Sequence, residues 1–149
     1  MRIDKAQIQT LIPHAGSMCL VDTVLRWDED GIACQTRTHR DPANPLRRQG
    51  HLPPLHAVEY GAQAAAIHGG LRARGAGQTA PAGYLAAVRD ARWFTADLAA
   101  VEEPLEIAAR RLWGEAGHCI YAVQVMVGDR VLAQARITIL PQPEIEGRS

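Results

Sequence analysis

The sequence has no excess charge of either sign, few cysteines, and no apolar run long enough to cross a bilayer. Sixteen basic residues balance sixteen acidic ones, which argues against a dedicated nucleic-acid or membrane surface and leaves small-molecule chemistry or protein contacts. Cys19, Cys34 and Cys119 lie far apart in apolar, strand-like runs and form no close metal-ligand pair, so they read as buried reduced thiols. The opening Met1-Arg2-Ile3-Asp4-Lys5 has no apolar signal core, and nothing approaches the roughly 18 apolar residues of a spanning helix; the expected location is the cytoplasm. Internal repeats and low-complexity tracts are missing too. A chain of 149 residues reads as one domain, residues 1–149, able to bury a core without metal or disulfide staples.

What is present is organised around one stretch, Pro53 to Leu71. Two prolines precede it and Gly75 and Gly77 follow, the usual start and stop of a helix. At about 100° per residue, Glu59, Gln63, Ala66 and Gly70 share a stripe flanked by Leu55 and Ala62, with His68 on the opposite side. Glu59 then emerges from small apolar residues. Partial desolvation there would raise its pKa and let it hold a proton near neutrality, as a general acid must. The plainer alternative is a glutamate at a solvated helix edge.

The rest reads as strands wrapped around that helix. Asp4 caps a short helix ending near Leu11, with Ile3, Ile8, Leu11 and Ile12 as its apolar side and Pro13 as its stop. Residues 18–27 and 32–39 form a hairpin about the turn 28–31. Residues 40–54 have no periodicity and are locally basic at Arg40, Arg47 and Arg48. They are either a solvated loop or a contact for an anionic group. After a linker at 72–81, strands are expected at 83–94, 105–113, 118–127 and 131–140. Primed tight turns join the last three at 115–117 and 128–129. Tyr121, Val123, Val125 and Val127 form the more uniformly apolar row, expected to face the helix. Residues 141–149 read as a frayed tail. The fold class is α+β, a long central helix wrapped by a curved antiparallel β-sheet. Its edge strands are the expected site of dimerisation.

Several of these segments, in order, resemble the hotdog-fold 3-hydroxyacyl-acyl carrier protein dehydratases. Leu11-Ile12-Pro13-His14 with Met18 to Val24 is similar to that family's opening, and Gln49-Gly50-His51-Leu52-Pro53 to its catalytic loop. Val58-Glu59-Tyr60-Gly61-Ala62-Gln63 resembles its central-helix motif, Tyr84 to Trp93 its next strand, and Gly128 to Ala135 its final hairpin. The resemblance implies that a loop histidine and a helix acid from two subunits face each other across an acyl tunnel. The histidine would remove the proton alpha to a thioester carbonyl, and the acid would protonate the leaving hydroxyl. Helix N-terminal amides would polarise the carbonyl; since Pro53 and Pro54 have no N–H, the candidates are Leu55 and His56. The chain departs from the family in a shorter stretch between His51 and Glu59, where the Gly-Arg-Pro segment is missing. In this it more closely resembles the dehydratase-like proteins of aryl polyene assembly.

The implied acid is Glu59 and the base His51, or else His14, whose other reading is a cap on the preceding helix. His56, one turn before Glu59, would hydrogen-bond it; as a metal pair the two are incomplete. Gln63 would orient the carboxyl group or a substrate carbonyl, or else bond backbone across the dimer. Tyr84 lines the tunnel or belongs to the core. His68 reads as a packed core or interface residue, and His39 and His118 as incidental. The implied partners are an acyl carrier protein and a second hotdog subunit, in a homodimer or a related hetero-oligomer, with no redox or metal cofactor needed. Two other functions stay open: an acyl thioesterase in which Glu59 activates water or acts as nucleophile, and a non-catalytic subunit that binds an acyl chain or completes a partner's dimer.

Overall fold

A computed structural model describes residues 2–12, 18–78 and 83–142. Its elements are α1 (Lys5–Gln9), β1 (Thr23–Trp27), β2 (Gly31–Thr36), α2 (Ala57–Gly75), β3 (Gly83–Trp93), β4 (Leu105–Glu115), β5 (His118–Val127) and β6 (Arg130–Pro141). The strands form one antiparallel sheet in the order β1-β2-β4-β5-β6-β3, and α2 packs across one face of it. This is the expected hotdog architecture.

The turns follow from local chemistry. Ala116 and Gly117 both have positive φ, 53° and 85°, closing β4 onto β5 in the manner of a type I′ turn. Between β5 and β6 only Gly128, at φ 57°, is left-handed, the II′ pattern. Asp4 starts α1 through a capping box with Gln7, with bonds of 2.9 and 3.1 Å.

Tyr121, Val123 and Val125 are buried against α2, as their row predicts, whereas Val127 is only partly covered. Unlike an ordinary amphipathic helix, α2 is covered on most of its circumference. Val58, Tyr60, Gly61, Gln63, Ala64, Ala65, Ile67, His68 and Leu71 are all buried. The half-open side carries Ala62, Ala66 and Gly69, with Glu59 exposed at its start.

Four boundaries differ from expectation. Residues 18–22 are not strand: the Leu20 amide donates to Gln63 Oε1 (2.8 Å), and its carbonyl accepts the hydroxyls of Thr36 (2.5 Å) and Thr38 (2.7 Å). Side chains thus do what a neighbouring strand would have done. β2 accordingly stops at Thr36 and turns into a 3₁₀ segment at Thr38–Arg40. α2 runs one turn into the expected linker, to Gly75, where Arg72 and Arg74 suit its carbonyl end. Pro141, placed in the tail, ends β6 by pairing with Gly83; residues 143–149 lie outside the described residues.

The two sheet edges are unlike. β1 has 5 residues, and a bridge from Ile3 to Val24 covers it. β3 has 11 residues and, among the described residues, pairs only with β6. Tyr84, Val88, Trp93 and the adjoining Phe94 are exposed there.

Candidate active site

His51 ends a two-residue turn. The Arg48 amide donates to His51 O (2.8 Å) and the His51 amide to Arg48 O (2.9 Å). Gln49 (φ 52°) and Gly50 (φ 78°) between them are both left-handed. Glycine takes that conformation freely; glutamine takes it at a cost, of the sort that collects at functional sites. Leu52 is fully buried and its carbonyl accepts the Leu98 amide (2.9 Å). The backbone of His51 is therefore held while its side chain, 72% exposed, projects outward.

Its ring is held as well. His51 Nδ1 lies 2.8 Å from Asp97 Oδ2. Asp97 Oδ1 accepts the amides of Leu52 (2.8 Å) and Ala99 (2.9 Å), the second bond capping the 3₁₀ turn Leu98–Ala100. Burial works against the Asp97 charge, but the hydrogen bonds from His51, Leu52 and Ala99 outweigh it and hold the carboxyl below its ordinary pKa. Asp97 escaped the sequence reading. Its only local signal is an Asp two residues before Ala99, a plain capping pattern.

The chain then enters α2 through a 3₁₀ turn, Pro54–His56. The His56 amide donates to Pro53 O (3.1 Å), which leaves Leu55 as the remaining amide of the expected pair. His56 makes no hydrogen bond to Glu59; its Nδ1 is buried without a partner among the described residues. Glu59 stands on the first turn of α2 and is exposed. The expected desolvation is therefore not provided by this chain, because the neighbouring small residues leave the carboxylate open to water.

Gln63 is buried and committed. Its Oε1 accepts Leu20 N, and its Nε2 donates to Met18 O (2.6 Å). These are backbone bonds within its own chain, not across a dimer. Tyr84 is exposed on the open edge of β3. His14 lies outside the described residues.

Of the other histidines, His68 is fully buried, with Nδ1 2.6 Å from Tyr121 Oη and Nε2 2.7 Å from Asp28 O. His39, also buried, bonds Val101 O (2.9 Å), so it braces the segment behind Asp97. His118 packs edge-on against Trp113. In the basic loop, Arg40 donates to Ala99 O (3.0 Å) and Arg47 to Gly50 O (3.1 Å); both brace the backbone around the His51 turn.

An apolar cleft between the first turn of α2 and the sheet is walled by Ala57, Val58, Trp93, Val123, Val125 and Ala135. It is pressed shut, with no free volume in the single chain. The larger hollow, about 450 Å³, lies on the sheet face turned away from α2, among Arg110, Gln124, Gln134 and Arg136. Cys19, Cys34 and Cys119 are unpaired, and burial pushes their thiols up, Cys34 to about 12. No three metal-ligating side chains converge among the described residues. No helix among them is long and apolar enough to cross a membrane.

Residues 6–147 match the model of a protein family described as ApeP-like, ApeP dehydratase. Among solved structures, the dehydratase heterocomplex ApeI:P from Xenorhabdus doucetiae superposes with a TM-score of 0.83 at 22% identity, over 92% of this chain and 91% of that one. Zebra fish thioesterase superfamily member 2 gives 0.63 at 16% identity, covering 90% and 92%. A hypothetical thioesterase with coenzyme A from Streptococcus pneumoniae gives 0.57 at 10%, covering 91% of each chain. At these identities the likeness is one of fold. Among curated proteins, none matches the chain by sequence.

Proposed function

The chain belongs to the ApeP-like dehydratase family, and from that membership we propose that it removes water from 3-hydroxyacyl groups carried as thioesters on an acyl carrier protein. The product is a trans-2-enoyl thioester, in fatty-acid or polyene-type biosynthesis. The observation that carries this reading is the pair His51 and Glu59. Both are exposed, both flank the N-terminus of α2, and neither side chain is drawn into the core.

His51 takes the proton from C2 at Nε2, and the electron pair left behind forms the C2–C3 double bond. Glu59 gives its proton to the hydroxyl on C3, which leaves as water. The imidazolium and carboxylate so formed are reset by returning one proton from the first to the second through solvent. The Leu55 amide and the positive end of α2 stabilise the enolate oxygen at the thioester. Leu55, in the turn that leads into α2, borders the acyl chain, and the apolar cleft beside Trp93, shut in the single chain, is its continuation once a second subunit parts it. Tyr84 stands at the other end of β3, away from this entry.

Within one chain Glu59 is solvated, so the site needs a second hotdog subunit to exclude water. The open edge of β3, with Tyr84, Val88, Trp93 and Phe94 exposed, suits strand addition by that subunit. The partner is another copy of this chain or a different hotdog chain, as in the ApeI:P heterocomplex.

The test is mass spectrometry of a 3-hydroxyacyl-carrier protein incubated with the wild type and with Glu59→Gln. Loss of one water with the wild type alone supports the reading. Release of the free acyl acid would point to thioester hydrolysis, and an unchanged substrate to a binding subunit.

A further inference from the structure

We propose that Asp97 is the positioning residue of this site, holding the His51 ring in the tautomer and orientation that make Nε2 a base. The inference rests on the reading of His51 as that base. Asp97 spends its two oxygens differently. Both bonds that shape the backbone, from Leu52 and from Ala99, are made to Oδ1. Oδ2 has the His51 ring as its partner. A residue needed only to cap the turn at Leu98–Ala100 requires one acceptor, which serine, threonine or asparagine supplies equally well. The second oxygen has no backbone task, and at 2.8 Å it faces Nδ1.

A carboxylate can only accept, so Nδ1 must donate. The proton of a neutral ring is thereby placed on Nδ1 and the lone pair on Nε2, the nitrogen left free on a side chain 72% exposed. When Nε2 takes a proton, the resulting imidazolium lies against a carboxylate only 23% exposed, which stabilises the charge as it forms. The Gln49-Gly50 turn holds the backbone on one side of His51 and Leu52 anchors it on the other, which aims the Cα–Cβ bond and leaves the bond to Asp97 to set the ring.

Asp97→Asn tests this with little change of shape. The amide oxygen must occupy the Oδ1 position, because the alternative would set an NH₂ group against the Leu52 and Ala99 amides. The NH₂ group then faces Nδ1, donates to it, and forces the ring proton onto Nε2. The full chain, with any hotdog chain that co-purifies, is labelled with ¹⁵N-histidine. The His51 signals are identified by their absence in His51→Ala.

Wild type is expected to show Nδ1–H with bare Nε2, and Asp97→Asn the reverse. The dehydration rate of Asp97→Asn is expected to fall by on the order of 10²- to 10⁴-fold, and the substitution is expected to cost nothing further in a His51→Ala background. An unchanged tautomer, or a second loss of rate in that background, overturns the proposal while leaving His51 as the base. A His51→Ala protein that dehydrates at the wild-type rate overturns the reading of His51, and with it any catalytic meaning of Asp97.

Discussion

Gly61 lies flush against Val123: a β-carbon at Gly61 would stand 2.7 Å from Val123 Cγ2. The closeness is what lets α2 settle into the sheet two positions after Glu59. Gly61→Ala is expected to destabilise the fold by about 1–3 kcal/mol, since Val123 is itself packed and cannot yield freely. Denaturant unfolding measures this, and pairing the change with Val123→Ala should recover part of the loss.

Gln63 takes the place of a strand for residues 18–20. Its replacement by alanine leaves the Leu20 amide and the Met18 carbonyl without partners, at a cost of about 1–3 kcal/mol. Hydrogen exchange should show the Leu20 amide losing protection ahead of the β4, β5 and β6 amides. Equal protection in variant and wild type would mean that water substitutes fully for the carboxamide.

His68 makes the fold sensitive to acid. The Asp28 carbonyl can only accept, so Nε2 carries the proton and Nδ1 accepts the Tyr121 hydroxyl. Burial lowers the His68 pKa from 6.5 and outweighs the opposing Asp28 carbonyl. Burial lowers that of His39 too. The unfolded chain therefore takes up these protons first. Their contribution is complete above the unfolded value and is lost as pH falls through about 6.5 toward the folded values. Thermal melts should be level from pH 7 to 8 and decline below about 6.5, and His68→Gln should flatten that decline.

The edge of β3 should be the assembly surface. Val88→Lys puts a charge among Tyr84, Trp93 and Phe94 and is expected to weaken association at least about tenfold. Light scattering after gel filtration would read the change. An unaltered mass would place the subunit contact elsewhere and leave the β3 edge without a role.

Local chemistry was legible in the sequence. The helix came from its prolines and spacing, and the β4–β5 and β5–β6 hairpins from short turns whose glycines had to be left-handed. The buried row of β5 came from strict alternation. Contacts made at a distance were not. Grouping Gln63 with Glu59 on one stripe assumed that a stripe separates inside from outside, yet α2 is covered on most sides, and the two residues have opposite fates. Leu20 looked like strand because nothing near it in sequence announces Gln63 as its partner. Asp97 meets His51 across 46 residues, a pairing no periodicity reports. In sequence Glu59 reads as either a desolvated acid or a solvated helix edge, and in the single chain it is the second; what would cover it belongs to a different surface.

The order β1-β2-β4-β5-β6-β3 places β2 beside β4, Thr36 opposite Leu105, with all of α2 and β3 strung between them. Closing that pair encircles the central helix. It joins distant parts of the chain, so its entropy must be lost before any contact repays it. The β4-β5-β6 meander, built from adjacent segments, can assemble early. The seam between β2 and β4 joins segments farther apart in sequence than the β3–β6 pairing does and is expected to close late, completing the wrap around α2.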